Sequence, residues 1–144
     1  MPALAADRNT PAWLGSPRRS GAAAAAVLIY AGSLVMRDAA GNLTKGQTAV
    51  GLTGVGRALA RVDNSAGAAG DLAVPFDEGV FLFANSAAAD QITAADIGNL
   101  CYAVDDQTVA KTDGTATRSP AGTVADVDAN GVWVRCDETL TKAR

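Results

Sequence analysis

The sharpest chemical pattern lies at Asp126, Asp128 and Asn130, followed by Gly131 and, six positions further on, Asp137. It sets side-chain oxygens at positions 1, 3 and 5 of a loop, glycine at 6 and a carboxylate at 12, as calcium-binding loops do. Aspartate at the last position reaches less far than the usual bidentate glutamate. The flanks disagree as well. Ala121-Gly-Thr-Val-Ala125 and Val132-Trp-Val-Arg135 read as strands, the second alternating with period two, whereas such a calcium loop joins helices. The competing reading is a β-hairpin turned at Asp128-Ala-Asn130-Gly131, with Asn-Gly as the favoured turn pair. The flanks favour the hairpin, and a calcium site at Asp126, Asp128, Asn130 and Asp137 stays as the weaker alternative.

Other routes to chemistry are narrow. The chain has no histidine, which removes histidine-activated nucleophiles, imidazole acid–base work and the commonest metal ligand. Cys101 and Cys136 are far apart, match no metal spacing, and each sits in an apolar strand-like stretch. Two buried reduced thiols are expected, with a disulfide as the lesser alternative. Adjacent carboxylates occur at Asp77-Glu78, Asp105-Asp106 and Asp137-Glu138. A glycosidase needs two carboxylates converging from separate elements, so these read as solvated turn residues. The glycines of Gly51-Leu-Thr-Gly54-Val-Gly56-Arg57 lack the third glycine of a dinucleotide fingerprint and read as points of bend or close backbone approach. No enzyme is expected and no cofactor.

The elements that carry these residues follow from composition. In 144 residues, 49% are apolar but only 5% aromatic, and alanine alone supplies 32 positions. Val and Leu must do most of the packing, which suits a thin sheet core better than a deep pocket. Net charge is −3 and the Lys and Arg residues are scattered except for Arg18-Arg19, so no basic face for nucleic acid is expected. Arg18-Arg19 followed by the apolar run 21–36 has the outline of a secretory signal. The run is short for a membrane span, Arg18-Arg19 is followed by Ser-Gly-Ala and not by the apolar residues a twin-arginine signal requires, and the stretch ends in the turn-like Arg37-Asp38-Ala-Ala-Gly41-Asn42, so neither secretion nor membrane insertion is expected.

Residues 1–24 are read as an extended N-terminal arm, because 1–21 hold three of the five prolines and show no periodicity. Trp13 and Leu14 within it ask for a partner, either their own domain or another subunit. Residues 25–138 are read as the β-rich domain and 139–144 as a tail. Short strands are expected around 27–30, 34–37, 49–53, 55–62, 72–74, 80–84, 100–104, 108–112, 121–126 and 132–136. A capping-box pattern at Thr93-Ala-Ala-Asp96, stopped by Gly98, predicts a single helical turn. The fold class is therefore mainly β: a small barrel or sandwich of short strands with one short helical turn and an extended arm. The expected core includes Val27, Ile29, Leu34, Val80, Leu82, Leu100, Val124 and Val132, and residues 63–71 are expected to form a mobile loop. A shift of 66 residues aligns Gly32-Ser-Leu34 with Gly98-Asn-Leu100, Leu43 with Val109, Lys45 with Lys111, Gly56 with Gly122 and Asn64 with Asn130, the trace of a two-fold repeat.

An ordered series of segments resembles a known family. It comprises Asp7-Arg-Asn-Thr-Pro11, Ile29-Tyr-Ala-Gly32-Ser-Leu-Val35, Arg61-Val-Asp-Asn-Ser65, Gly79-Val-Phe81, Phe83-Ala-Asn-Ser86, Ile92-Thr-Ala-Ala-Asp-Ile-Gly98, Cys101 to Ala110, Gly122 to Asp128 and Gly131-Val-Trp-Val134. Together these look like the cement, or head-decoration, proteins of tailed phages and prophages. The strongest stretch is 92–134; residues 12–17 look like an insertion in the arm.

The resemblance implies a structural protein on the capsid exterior, made in the bacterial host cytoplasm, that holds major capsid subunits together. Its implied partners are the major capsid protein and its own copies, a homotrimer preferred over a dimer. Trp13, Leu14, Arg18 and Arg19 are the expected contacts to the shell or to neighbouring subunits. The rival reading is a surface-displayed module that binds glycans or host-cell partners through the loops at 64–71 and 113–119.

Overall fold

The computed structural model describes Ala5, Ala6, Arg8 and residues 18–144. It contains twelve strands and a terminal helix: β1 (Arg18–Ala22), β2 (Val27–Ile29), β3 (Leu34–Arg37), β4 (Leu43–Lys45), β5 (Thr53–Ala58), β6 (Val62–Asn64), β7 (Ala73–Asp77), β8 (Gly79–Phe83), β9 (Leu100–Ala103), β10 (Val109–Ala110), β11 (Pro120–Asp128), β12 (Gly131–Cys136) and α1 (Glu138–Ala143). Two short 3-10 turns, Ala88–Asp90 and Ala94–Asp96, lie between β8 and β9. The second is the turn expected from the capping box, with Thr93 N donating to Asp96 Oδ2 at 2.8 Å.

The strands form two five-stranded antiparallel sheets, ordered β1-β7-β5-β3-β4 and β10-β9-β11-β12-β8, with β2-β6 as a two-stranded ribbon. The fold is mainly β, a small sandwich of short strands. One apolar cluster joins Val27, Ile29 and Val62 of the ribbon to Val35, Leu43, Val55, Val74 and Phe76 of the first sheet. The other gathers Phe83, Ile92, Cys101, Val109, Val124, Val132 and Val134, together with Leu34 and Met36. β3 is thus buried on both faces: Val35 points into one cluster while its neighbours Leu34 and Met36 point into the other.

The repeat is a property of the backbone. In β3–β5, Leu34 lies opposite Arg57, Val35 opposite Gly56 and Met36 opposite Gly54; adding 66 to each gives the β9–β11 pairs Leu100–Thr123, Cys101–Gly122 and Tyr102–Pro120. The β-bulge sits at the same place in both, skipping Val55 in one and Ala121 in the other. Met36–Thr44 and Arg37–Leu43 recur as Tyr102–Ala110 and Ala103–Val109. Even the approach bond recurs: Gly32 N donates to Ala58 O, and Gly98 N to Val124 O. Each half closes its first strand against its last, β1 on β7 and β8 on β12.

Arg57 faces Asp77 and Thr123 faces Arg135, so the offset falls from 66 to 58 between β5 and β7 in one half and β11 and β12 in the other. The first half therefore has eight more residues there, and they hold β6. This segment, read above as a mobile loop, is tied down. Asn64 is buried and its Nδ2 donates to Ala24 O at 2.8 Å and Ala68 O at 3.0 Å.

Several boundaries shift. Residues 18–22, assigned above to the arm, form β1, because the backbone of β7 offers an edge that Arg-Arg-Ser-Gly-Ala can pair with whatever its propensity. The expected tail 139–144 lies largely within α1, capped by the Asp137 side chain accepting from Leu140 N at 3.0 Å. Of the expected core, Val27, Ile29, Leu34, Val124 and Val132 are buried and Leu100 is half-buried. Val80 and Leu82 are exposed, 39% and 40%, because pairing with β12 turns Phe81 and Phe83 toward the interior instead.

Candidate functional site

The turn at Asp128–Gly131 joins β11 to β12 as a hairpin, with Asp128 opposite Gly131. Its oxygens serve the hairpin. Asp128 accepts from Asn130 N (2.8 Å) and from the Trp133 indole (2.9 Å), and these bonds hold its carboxyl below the ordinary aspartate range. Asp126 Oδ1 accepts from Val127 N, and Asp137 caps α1. Among the described residues no three metal-ligating side chains gather. The residues of the calcium pattern are thus dispersed over a turn, a strand and a helix cap.

The thiols of Cys101 and Cys136 are buried and free. Cys101 lies opposite Gly122, and since Thr123 faces Arg135, Cys136 flanks the same glycine from the other side. Two strand spacings, roughly 9–10 Å, separate their backbones, beyond the ~7 Å that a disulfide bridges. Burial pushes Cys101 up to about 12 and Cys136 up as well, so neither offers a thiolate nucleophile.

The paired carboxylates diverge. Asp77 binds Arg57 and Glu78 binds Arg19; Asp137 caps the helix while Glu138 turns to arginines. Glu138 Oε2 accepts from Arg37 Nε at 2.6 Å and Oε1 from Arg19 at 3.3 Å. Burial raises the Glu138 pKa, but the Arg37 and Arg19 bonds and charges outweigh it and hold the group below its usual range. Asp63, Asp90 and Asp96 also move down, each chiefly through a hydrogen bond from a neighbour. A general acid working near neutral pH needs the opposite shift. The groove of about 490 Å³ beside this network, lined by Arg37, Asp38, Thr53, Glu138 and Lys142 among others, is open and its central carboxylate is occupied by ion pairs.

Arg19, expected to touch a neighbouring subunit, is half-buried in its own: it bonds Glu78 at 2.8 Å and stacks over Phe76 with its guanidinium 5.3 Å from the ring centroid. Arg18 is exposed at the start of β1. Trp13 and Leu14 lie outside the described residues. Sequence reasoning missed the β8–β12 face, where Val80 and Leu82 project outward and Leu82 is opposite the half-buried Trp133. The period-two alternation of β12 held the signal, since it puts Trp133 and Arg135 on the opposite side from Val132 and Val134.

No protein-family model matches the chain, and neither does any curated protein or solved structure. No helix among the described residues is long and apolar enough to cross a membrane.

The duplication supplies a comparison within the molecule. Matching the last strands by 58 and following their registers puts Val80 and Leu82 at the positions of Arg18 and Ser20, and Trp133 at that of Pro75. The same backbone carries polar or small residues on one copy of this face and large apolar ones on the other. The fold itself does not require apolar side chains there.

Proposed function

We propose that this chain is a structural virion protein that binds the outer surface of a phage capsid and stabilises contacts between major capsid subunits. The reading rests on the sequence alone: an ordered series of segments across most of the chain that looks like capsid cement proteins. Several structural features support it. The thiols are buried, Asp77, Glu78 and Glu138 are held by arginines, and the groove beside Glu138 is open, which suits docking through the surface. A rigid sandwich with tightly bonded turns presents a fixed shape, which limits the ordering cost of docking. Repetition over a symmetric shell then turns modest contacts into firm attachment.

In this reading the protein sits on the capsid exterior as a homo-oligomer, a trimer in preference to a dimer, after synthesis in the host cytoplasm. Exposed Arg18 is a candidate contact to the shell. The test is to mix the purified chain with undecorated heads and sediment them. Saturable co-sedimentation in a fixed ratio to the major capsid protein is expected. A chain that stays in the supernatant while binding host cells or glycans would overturn the proposal in favour of a display module.

A further inference from the structure

The outer face of β8, β12 and the end of β11 carries more apolar surface than the fold needs. Directly opposite residues share a face, so two rows stand outward here: Asp126, Trp133 and Leu82 in one, Arg135 and Val80 in the other. The rows are two residues, about 7 Å, apart along the strands. Val80 and Leu82 are exposed, and Trp133 is half-buried between Leu82 and Asp126. The duplicated half bears Arg18, Ser20 and Pro75 at the points matching Val80, Leu82 and Trp133. The sandwich closes without large apolar side chains there.

The charges on this face are polarised and unpaired. Arg135 is exposed at one end, and among the described residues no carboxylate pairs with it. Asp126 is exposed at the other end; its Oδ1 accepts from the adjacent Val127 N at 2.8 Å, and no described cation pairs with it. Asp128, bonded to the Trp133 indole, extends the acidic end. A patch with opposite charges at its two ends is complementary to itself turned end for end. That is the condition a two-fold contact between identical chains sets. A partner of a single sign of charge matches only one end.

We propose that this face pairs two copies of the chain about a two-fold axis that crosses β12 level with Val134, in the plane between the facing sheets. Turning one copy about that axis lays each row on the other row of the second copy. Val80 then meets Leu82, and Arg135 comes over Trp133, one strand spacing (~4.8 Å) from Asp126. Each contact occurs twice, apolar on apolar and cation on indole and carboxylate. The strands of the two sheets stay aligned, as in sandwich packing. Three strands of about five residues span roughly 14 by 17 Å. That is small beside the ~1,200–2,000 Å² of a stable interface, so the pairing is weak and concentration-dependent. It stands whether or not the chain binds a capsid, and it joins copies in pairs without supplying the three-fold contact of that reading.

The test is sedimentation equilibrium of the full chain over a concentration series, with no capsid present. The mass is expected to rise from one chain, 14.5 kDa, toward twice that value. Arg135→Asp and Asp126→Arg each set like charges against each other in both copies of the contact, and each is expected to weaken pairing roughly tenfold. Mixed together, the two variants are expected to pair about as tightly as the unaltered chain, because one contact is then native and the other is its charge-reversed equivalent. Leu82→Arg, at an exposed position, is expected to abolish pairing while unfolding in urea as the unaltered chain does. The proposal is overturned if the mass stays at one chain up to ~1 mM, if these substitutions leave association unchanged, or if the mixture pairs no better than its parts. A chain that never pairs, and whose Leu82→Arg variant alone loses co-sedimentation with undecorated heads, overturns it in favour of the shell as occupant.

Discussion

The indole Nε1 of Trp133 donates to Oδ2 of Asp128 at 2.9 Å, tying a side chain of β12 to the turn that precedes it. With the Asn130 N–H, this bond keeps the Asp128 carboxylate ionised to lower pH than in the unfolded chain. The folded state gains from it above the ordinary aspartate value of 3.8, and the gain disappears as pH falls through the lower folded value. In Trp133→Phe the Asp128 titration is expected to move up toward 3.8, followed by NMR of its carboxyl carbon. An unmoved titration would show that the indole bond does not govern this carboxylate.

Gly56 and Gly122 occupy equivalent points, and a Cβ at either would collide with a carbonyl oxygen, of Asp77 in one half and Arg135 in the other. Gly56→Ala and Gly122→Ala are each expected to lower stability by about 1–3 kcal/mol, the range for overpacking a close-packed interior. Urea unfolding of the two variants side by side measures this. A neutral result for one would break the equivalence of the two bulges.

The buried thiols predict an alkaline limit. In the unfolded chain a cysteine ionises near pH ~8.5, while folding holds Cys101 neutral up to about 12. The unfolded state then binds fewer protons, so stability is level below that range and falls as pH rises through it. Thiol reagent added to native protein at neutral pH is expected to label neither cysteine, and to label both after denaturation.

Glu138 anchors the C-terminal helix to β1 and β3 through Arg19 and Arg37. Glu138→Ala is expected to cost about 1–2 kcal/mol at low salt, because a part-buried charged hydrogen bond is lost. The loss shrinks in high salt as the ion pairs are screened. Equal losses at both ionic strengths would point to packing of the helix instead.

Much of this architecture is legible in the amino-acid sequence. Asn130-Gly131 and the alternation after it specify the hairpin, and the 66-residue shift picks out glycines that stand at matching bulges. Gly79-Val-Phe-Leu-Phe83 reads as a strand, but the expectation that Val80 and Leu82 face inward has the wrong phase. All four side chains are apolar, so the run has no polar residue to fix its phase, and only the register with β12 decides it. β1 escapes the sequence reading because Arg-Arg-Ser-Gly-Ala has no strand propensity of its own; its order comes from a partner 51 to 59 positions away. The arginine–glutamate network has the same character, since Arg19 and Glu138 lie 119 residues apart.

The double burial of β3 ties the fate of the two repeats together. Without the second, Leu34 and Met36 would lose the partners that keep them dry; without the first, Cys101 and Val124 would share an unroofed cluster. The repeats are interlocked in the manner of two clasped hands. A cut between them is expected to release two sticky fragments, neither of them a free-standing module, and the chain is expected to melt as a single unit.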